Sequence, residues 1–126
     1  MRTIKFRGKT TANGHWVYGC LINYDDNVIS ISNRKSNPWV DPATIGQFTG
    51  LTDRNGKEIY EGDIISLRGY VAEVRWNNNI CAFCIRFSFE SELGTSPLGS
   101  WIDSRRRCRV IGNIHDNPEL MKGGAE

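Results

Sequence analysis

Apolar side chains recur at every second position through most of this sequence, and that spacing restricts what the chain can fold into. Trp16, Tyr18, Cys20 and Ile22 follow it, as do Tyr70, Ala72, Val74 and Trp76. The strongest such run is Phe83, Ile85, Phe87 and Phe89, and shorter ones are Ile4 with Phe6 and Ile29 with Ile31. A strand turns successive side chains to opposite faces, so period two describes sheets with one buried face. No segment of useful length carries apolar residues at helical spacing. The exception is the C-terminus, where Asn117 as cap and Pro118 at the first helical position predict a short helical turn. The chain is therefore expected to be all-β.

Turn chemistry divides the strands. Asn13-Gly14 predicts a hairpin turn between a strand near residues 2–7 and one near 16–22, since both residue types tolerate positive φ. Asn77-Asn78-Asn79 does the same between 70–76 and 80–89. Further strands are predicted near 28–32, 64–68, 101–103 and 108–114. The five from residue 64 onward suit a small barrel or a tightly curled sheet. The segment from Asn33 to Asp41, with Pro38 inside it and Pro42 after it, reads as a loop.

At 126 residues with 39% apolar side chains, the chain can bury a real core as one domain or two small subdomains. Sixteen basic and 14 acidic residues leave a net charge of +2, so nothing global demands a polyanionic partner. No run of 18 apolar residues is present, which excludes a helical membrane span. The opening Met1-Arg-Thr-Ile-Lys-Phe6 lacks the apolar centre of an export signal. The expected location is the cytoplasm of whichever cell makes the chain, with no membrane partner. In that compartment Cys20, Cys81, Cys84 and Cys108 are expected to be free thiols.

One stretch near the middle, Thr44-Ile-Gly-Gln-Phe-Thr-Gly-Leu-Thr-Asp-Arg-Asn-Gly-Lys-Glu-Ile-Tyr-Glu-Gly-Asp63, is rich in glycine and turn-forming pairs. It resembles the signature of the YopX family, small proteins found mostly in bacteriophages and prophages. The matching residues are Thr44 to Gln47, Thr49-Gly50-Leu51, Asp53, Asn55-Gly56, Ile59 and Glu61-Gly62-Asp63. The basic opening Arg2 to Arg7, the closing Val110 to Ile114 and the tail Asn117 to Leu120 match as well. The resemblance implies a β-rich protein with an SH3-like barrel in its C-terminal half, and a family whose function is not established. With a loose boundary near Asp53, an N-terminal β subdomain is expected over residues 1–53 and the barrel over residues 54–126, with a short helical turn at its C-terminal end.

Asp53, Glu61 and Asp63 could form a carboxylate cluster for a metal or for acid–base work. No His, Cys or Lys recurs with them, and turn chemistry accounts for Gly46, Gln47, Gly50, Asp53, Asn55, Gly56, Glu61, Gly62 and Asp63 alike. The Cys81-Ala-Phe-Cys84 pair has no second ligand pair, and residues three apart on a strand face opposite sides. No metal and no cofactor are expected. Arg105, Arg106, Arg107 and Arg109 form the sharpest charge cluster, and with Arg2, Lys5, Arg7 and Lys9 could make a face for phosphates. The plain reading is a solvated turn, then a strand with Arg109 outward and Cys108 and Val110 inward. Trp16 and Trp76 are read as core. Trp39, in the proline-flanked loop, is read as an interface residue, and Trp101 as either an interface residue or an end cap of the barrel.

No nucleophile elbow and no phosphate loop leading into a helix is present. The expected function is that of a non-enzymatic phage or prophage accessory protein, an interaction or assembly module that forms homo-oligomers and binds an unknown phage or host protein. The alternative is a nucleic-acid-binding factor using the arginines at 105–109.

Overall fold

A computed structural model of the protein describes residues 3–67, 69–88, 96–98 and 108–122. Among the described residues its elements are eleven strands and two short 3-10 turns, and the chain is all-β. The chain divides into two compact units, Met1–Gly50 and Leu51–Glu126.

The first unit is built on strands β1 (Phe6–Lys9), β2 (Trp16–Asp25), β3 (Val28–Ser32) and β4 (Trp39–Val40). Strand β5 (Gly46–Thr52) starts in this unit, pairs with β1 and runs on into the second unit, where it meets β6 (Glu58–Tyr60). The strand order is β4-β3-β2-β1-β5-β6, with antiparallel neighbours in the four pairs from β4 to β5. The first hairpin closes where Asn13-Gly14 predicted it: Gly14 has φ 72°, and the Thr10 amide donates to the His15 carbonyl at 3.0 Å. Strand β4 lies inside the segment expected to be a loop. Its far side is tied to the end of β1, through a Thr10–Val40 bridge and the Asp41 amide donating to Lys9 O at 2.8 Å.

The buried face of β2 is the opposite of the expected one, while Phe6 and Ile31 share the buried side as expected. Ile4 is 58% exposed, Tyr18 and Cys20 are exposed, and Arg7 is buried with its guanidinium 4.6 Å from the Trp16 ring. Register explains the reversal. Leu21 lies opposite Ile31 and Val17 opposite Gly8, so the side of β2 that carries Val17 and Leu21 shares the face of fully buried Ile31. Both sides of β2 are apolar in sequence, and period two alone cannot choose between them. Gly19, between Val17 and Leu21, has φ 155°, and a Cβ there would stand 2.0 Å from the Ser32 carbonyl oxygen.

The second unit is a five-stranded antiparallel sheet in the order β10-β9-β8-β7-β11. Its strands are β7 (Asp63–Leu67), β8 (Tyr70–Asn77), β9 (Ala82–Phe87), β10 (Ser96–Pro97) and β11 (Cys108–Asn113). Ile59, Ile65, Val74, Ile85, Phe87 and Leu98 are at the centre of its core. The strands predicted at 64–68, 70–76, 80–89 and 108–114 are present within two residues at each end, and the one at 101–103 lies outside the described residues. Among the described residues β10 and β11 are the edges of the sheet, which is not closed, so the SH3-like barrel implied by resemblance is not confirmed.

Three local expectations are corrected. The turn after β8 is shifted to residues 78–81, with Cys81 at φ 51°, because β9 begins only at Ala82. Trp76, expected in the core, is 43% exposed beside that turn and meets the Phe83 ring edge-on at 5.1 Å. At the C-terminus a 3-10 turn spans Pro118–Met121, but the Asn117 side chain does not cap it. It accepts from the Asn113 amide at 3.3 Å instead.

Candidate functional site

The signature folds as two strands and two turns. Gly46, Gln47 and Gly50 lie on β5. Asp53 follows, and its carboxylate organises the first turn. Its Oδ1 accepts from the amides of Asn55 at 2.8 Å and Lys57 at 2.9 Å. Gly56, at φ 81° with open space around it, supplies the left-handed corner that an L side chain rarely adopts. This is the Asx arrangement that Asp53 and Asn55-Gly56 predict.

A third bond has no sequence signal. Asp53 Oδ2 accepts from the amide of Val110, 57 residues away, at 2.9 Å. Next to it the Arg54 amide donates to the Cys108 carbonyl at 3.0 Å. The first turn is therefore fastened to β11. Burial pushes the Asp53 carboxyl up, but the amides of Val110, Lys57 and Asn55 and the charge of Lys57 outweigh it, and its pKa is lowered. Burial, with the nearby Asp53 charge, pushes the Cys108 thiol up to about 11.

The second turn is held in the same manner. Asp63 Oδ2 accepts from the Tyr60 amide at 2.7 Å, Gly62 has φ 93°, and Glu61 is half-buried between them. The Gly62 amide donates to Val74 O at 2.8 Å, and the Ile114 amide donates to Gly62 O at 2.9 Å. Both buried signature aspartates thus accept main-chain donors in separate turns.

The other candidates are dispersed. Arg109 is exposed on β11, between inward Cys108 and half-buried Val110, as expected. Arg105, Arg106, Arg107 and Trp101 lie outside the described residues. Of the proposed basic face, Arg2 lies outside the described residues, Arg7 is buried, and the ammonium groups of Lys5 and Lys9 lie over the Phe48 and Trp16 rings at 5.4 and 5.5 Å. Cys81 sits in an exposed turn rather than on a strand, while Cys84 is buried on β9. All four cysteines are free. Trp39 is exposed, and its ring meets that of Tyr24 at 5.0 Å in an edge-on contact. Tyr24 was not a candidate: a contact between residues 24 and 39 depends on the β2-β3-β4 pairing, which no local motif announces. Among the described residues no helix is long and apolar enough to cross a membrane.

Residues 5–122 match the YopX protein family, nearly the whole chain. The chain belongs to the YopX family. No curated protein matches it. Among solved structures, the YopX chain is similar to the crystal structure of protein EF1440 from Enterococcus faecalis, with 24% identity and a TM-score of 0.60, covering 97% of this chain and 100% of that one. At that identity the likeness supports the fold and nothing further.

Proposed function

We propose that this YopX protein is a non-enzymatic phage or prophage accessory protein that works in the cytoplasm as a self-associating assembly module. The observation that carries the reading is an apolar patch on one side of β2, β3 and β4. Tyr24 is 55% exposed, Trp39 50% and Val28 41%. Exposed Asp25 and Asp26 lie at one end of β3, and exposed Arg34 and Lys35 at the other. A second copy laid antiparallel across β3 would set each acidic end against a basic end, the self-complementarity a two-fold contact needs. The non-enzymatic reading is supported by Asp53 and Asp63, whose carboxylates accept main-chain donors.

The contact is a weak one. Three half-exposed side chains per copy recover about 6 kcal/mol when buried, while association costs roughly 4–15 kcal/mol. Light scattering across a concentration series should show a mass rising above the 14.3 kDa of the single chain at high micromolar concentration. Trp39→Ala should hold the mass at the single-chain value. A wild-type mass constant at 14.3 kDa overturns the reading. The exposed Arg109 favours a second reading, nucleic-acid binding through the cluster at 105–109. Binding to single-stranded or duplex DNA that weakens steeply with salt would favour it over self-association.

A further inference from the structure

We propose that the YopX signature turn is an edge guard: it occupies the outer edge of β11 in place of a neighbouring strand, and so closes a strand-pairing surface that would otherwise accept a second copy of the chain. An edge strand presents a row of unpaired amides and carbonyls, a template for pairing with another chain unless something covers it. In β11, Arg109 lies opposite Ser66 of β7, while the Cys108 carbonyl and the Val110 amide bond to the signature turn.

Those two outward groups are bonded in a specific pattern. In a parallel pair, one residue donates to the carbonyl before its partner and accepts from the amide after it. Here the Arg54 amide donates to Cys108 O, and the Val110 amide donates to Asp53 Oδ2. Together they bracket Arg109 as one rung of a parallel neighbour would. A carboxylate oxygen stands where that neighbour's carbonyl would be. The main-chain carbonyl of Asp53 is already engaged by the Gly56 amide, so only its side chain is available for the edge. The Ile114 amide is not part of this edge: its bond to Gly62 O continues the β7–β11 register. A bulge between Val110 and Gly112 further disrupts the regular edge.

The test is Asp53→Asn in a Trp39→Ala background, which separates the edge from the apolar patch. An Asn can keep the bonds to Asn55 and Lys57 through its carbonyl, but then turns an amide toward the Val110 amide, donor against donor. Hydrogen exchange of the diluted protein should show the Val110 amide exchanging at least tenfold faster than in Trp39→Ala alone, with the β7 amides unchanged. On concentration the double variant should form species larger than those of Trp39→Ala, with Val110 protected again. A double variant that matches Trp39→Ala in mass overturns the guard, whether or not the Val110 amide is freed. Association accompanied by loss of β7 protection also overturns it, because that is aggregation of unfolded chain. None of these outcomes depends on whether Trp39 mediates association in the wild type, since the comparison is made without it.

Discussion

Asp53 and Cys108 are adjacent buried acids whose environments favour opposite charge states. Three amides favour the charged form of Asp53, and that same charge helps keep the Cys108 thiol neutral. The pH dependence follows from the directions. A carboxyl whose folded pKa lies below its ordinary value of 3.8 contributes stability that is fully present above that value and is lost as pH falls through the folded pKa. A thiol raised from 9.0 to about 11 contributes stability present below pH 9.0 and lost as pH rises through 11. Asp53→Asn should remove the acid limb. Denaturant melts between about pH 5 and pH 2 should show a wild-type decline that the variant lacks in part, on top of a pH-independent loss of about 1–3 kcal/mol for the mismatched Val110 amide. Equal slopes for both proteins would mean that Asp53 is not the carboxylate that matters.

At the level of elements, the backbone between Ser32 and Gly19 sets the tightest limit. A methyl group at Gly19 would meet the Ser32 carbonyl at 2.0 Å, a backbone atom that cannot step aside without pulling β3 from β2. Gly19→Ala should destabilise by roughly 2–4 kcal/mol, within the range of severe backbone conflicts, while Gly14→Ala should cost nearer ~1 kcal/mol because only its φ of 72° is at issue. Urea melts with equal m-values compare the two directly. That difference was not legible in the sequence, where both are glycines in or beside a strand. What was legible were the strands whose alternation is one-sided, such as Tyr70 to Trp76 and Phe83 to Phe87. Strand β2 was legible as a strand but not as to its buried face, because Val17 and Leu21 compete with Trp16 and Ile22. Strands β5 and β6 were hidden inside the signature, whose glycines and Asx residues read as turns alone. The local half of the Asp53 site was readable from Asn55-Gly56, and the Val110 half was not, since nothing in residues 53–57 names a partner 57 positions on.

Across the whole molecule, the YopX membership and the all-β class were legible from one long motif and one period. That the second sheet stays open was not, because closure depends on which edges meet, and alternation says nothing of edges. The Asp53–Val110 bond also places the signature in time. Its two ends are made far apart in synthesis, so the turn at Asn55-Gly56 can form while β11 is still unmade, and the bond to Val110 must wait for a large loop to close. A contact completed last holds the native state without guiding the chain toward it. Asp53→Asn should therefore leave the refolding rate nearly unchanged and put its effect into faster unfolding, by about tenfold for each ~1.4 kcal/mol lost. Stopped-flow chevrons of the two proteins would show coincident refolding arms and displaced unfolding arms. The signature would then govern how long the molecule lasts once made, a property on which selection can act without any change in what the protein binds.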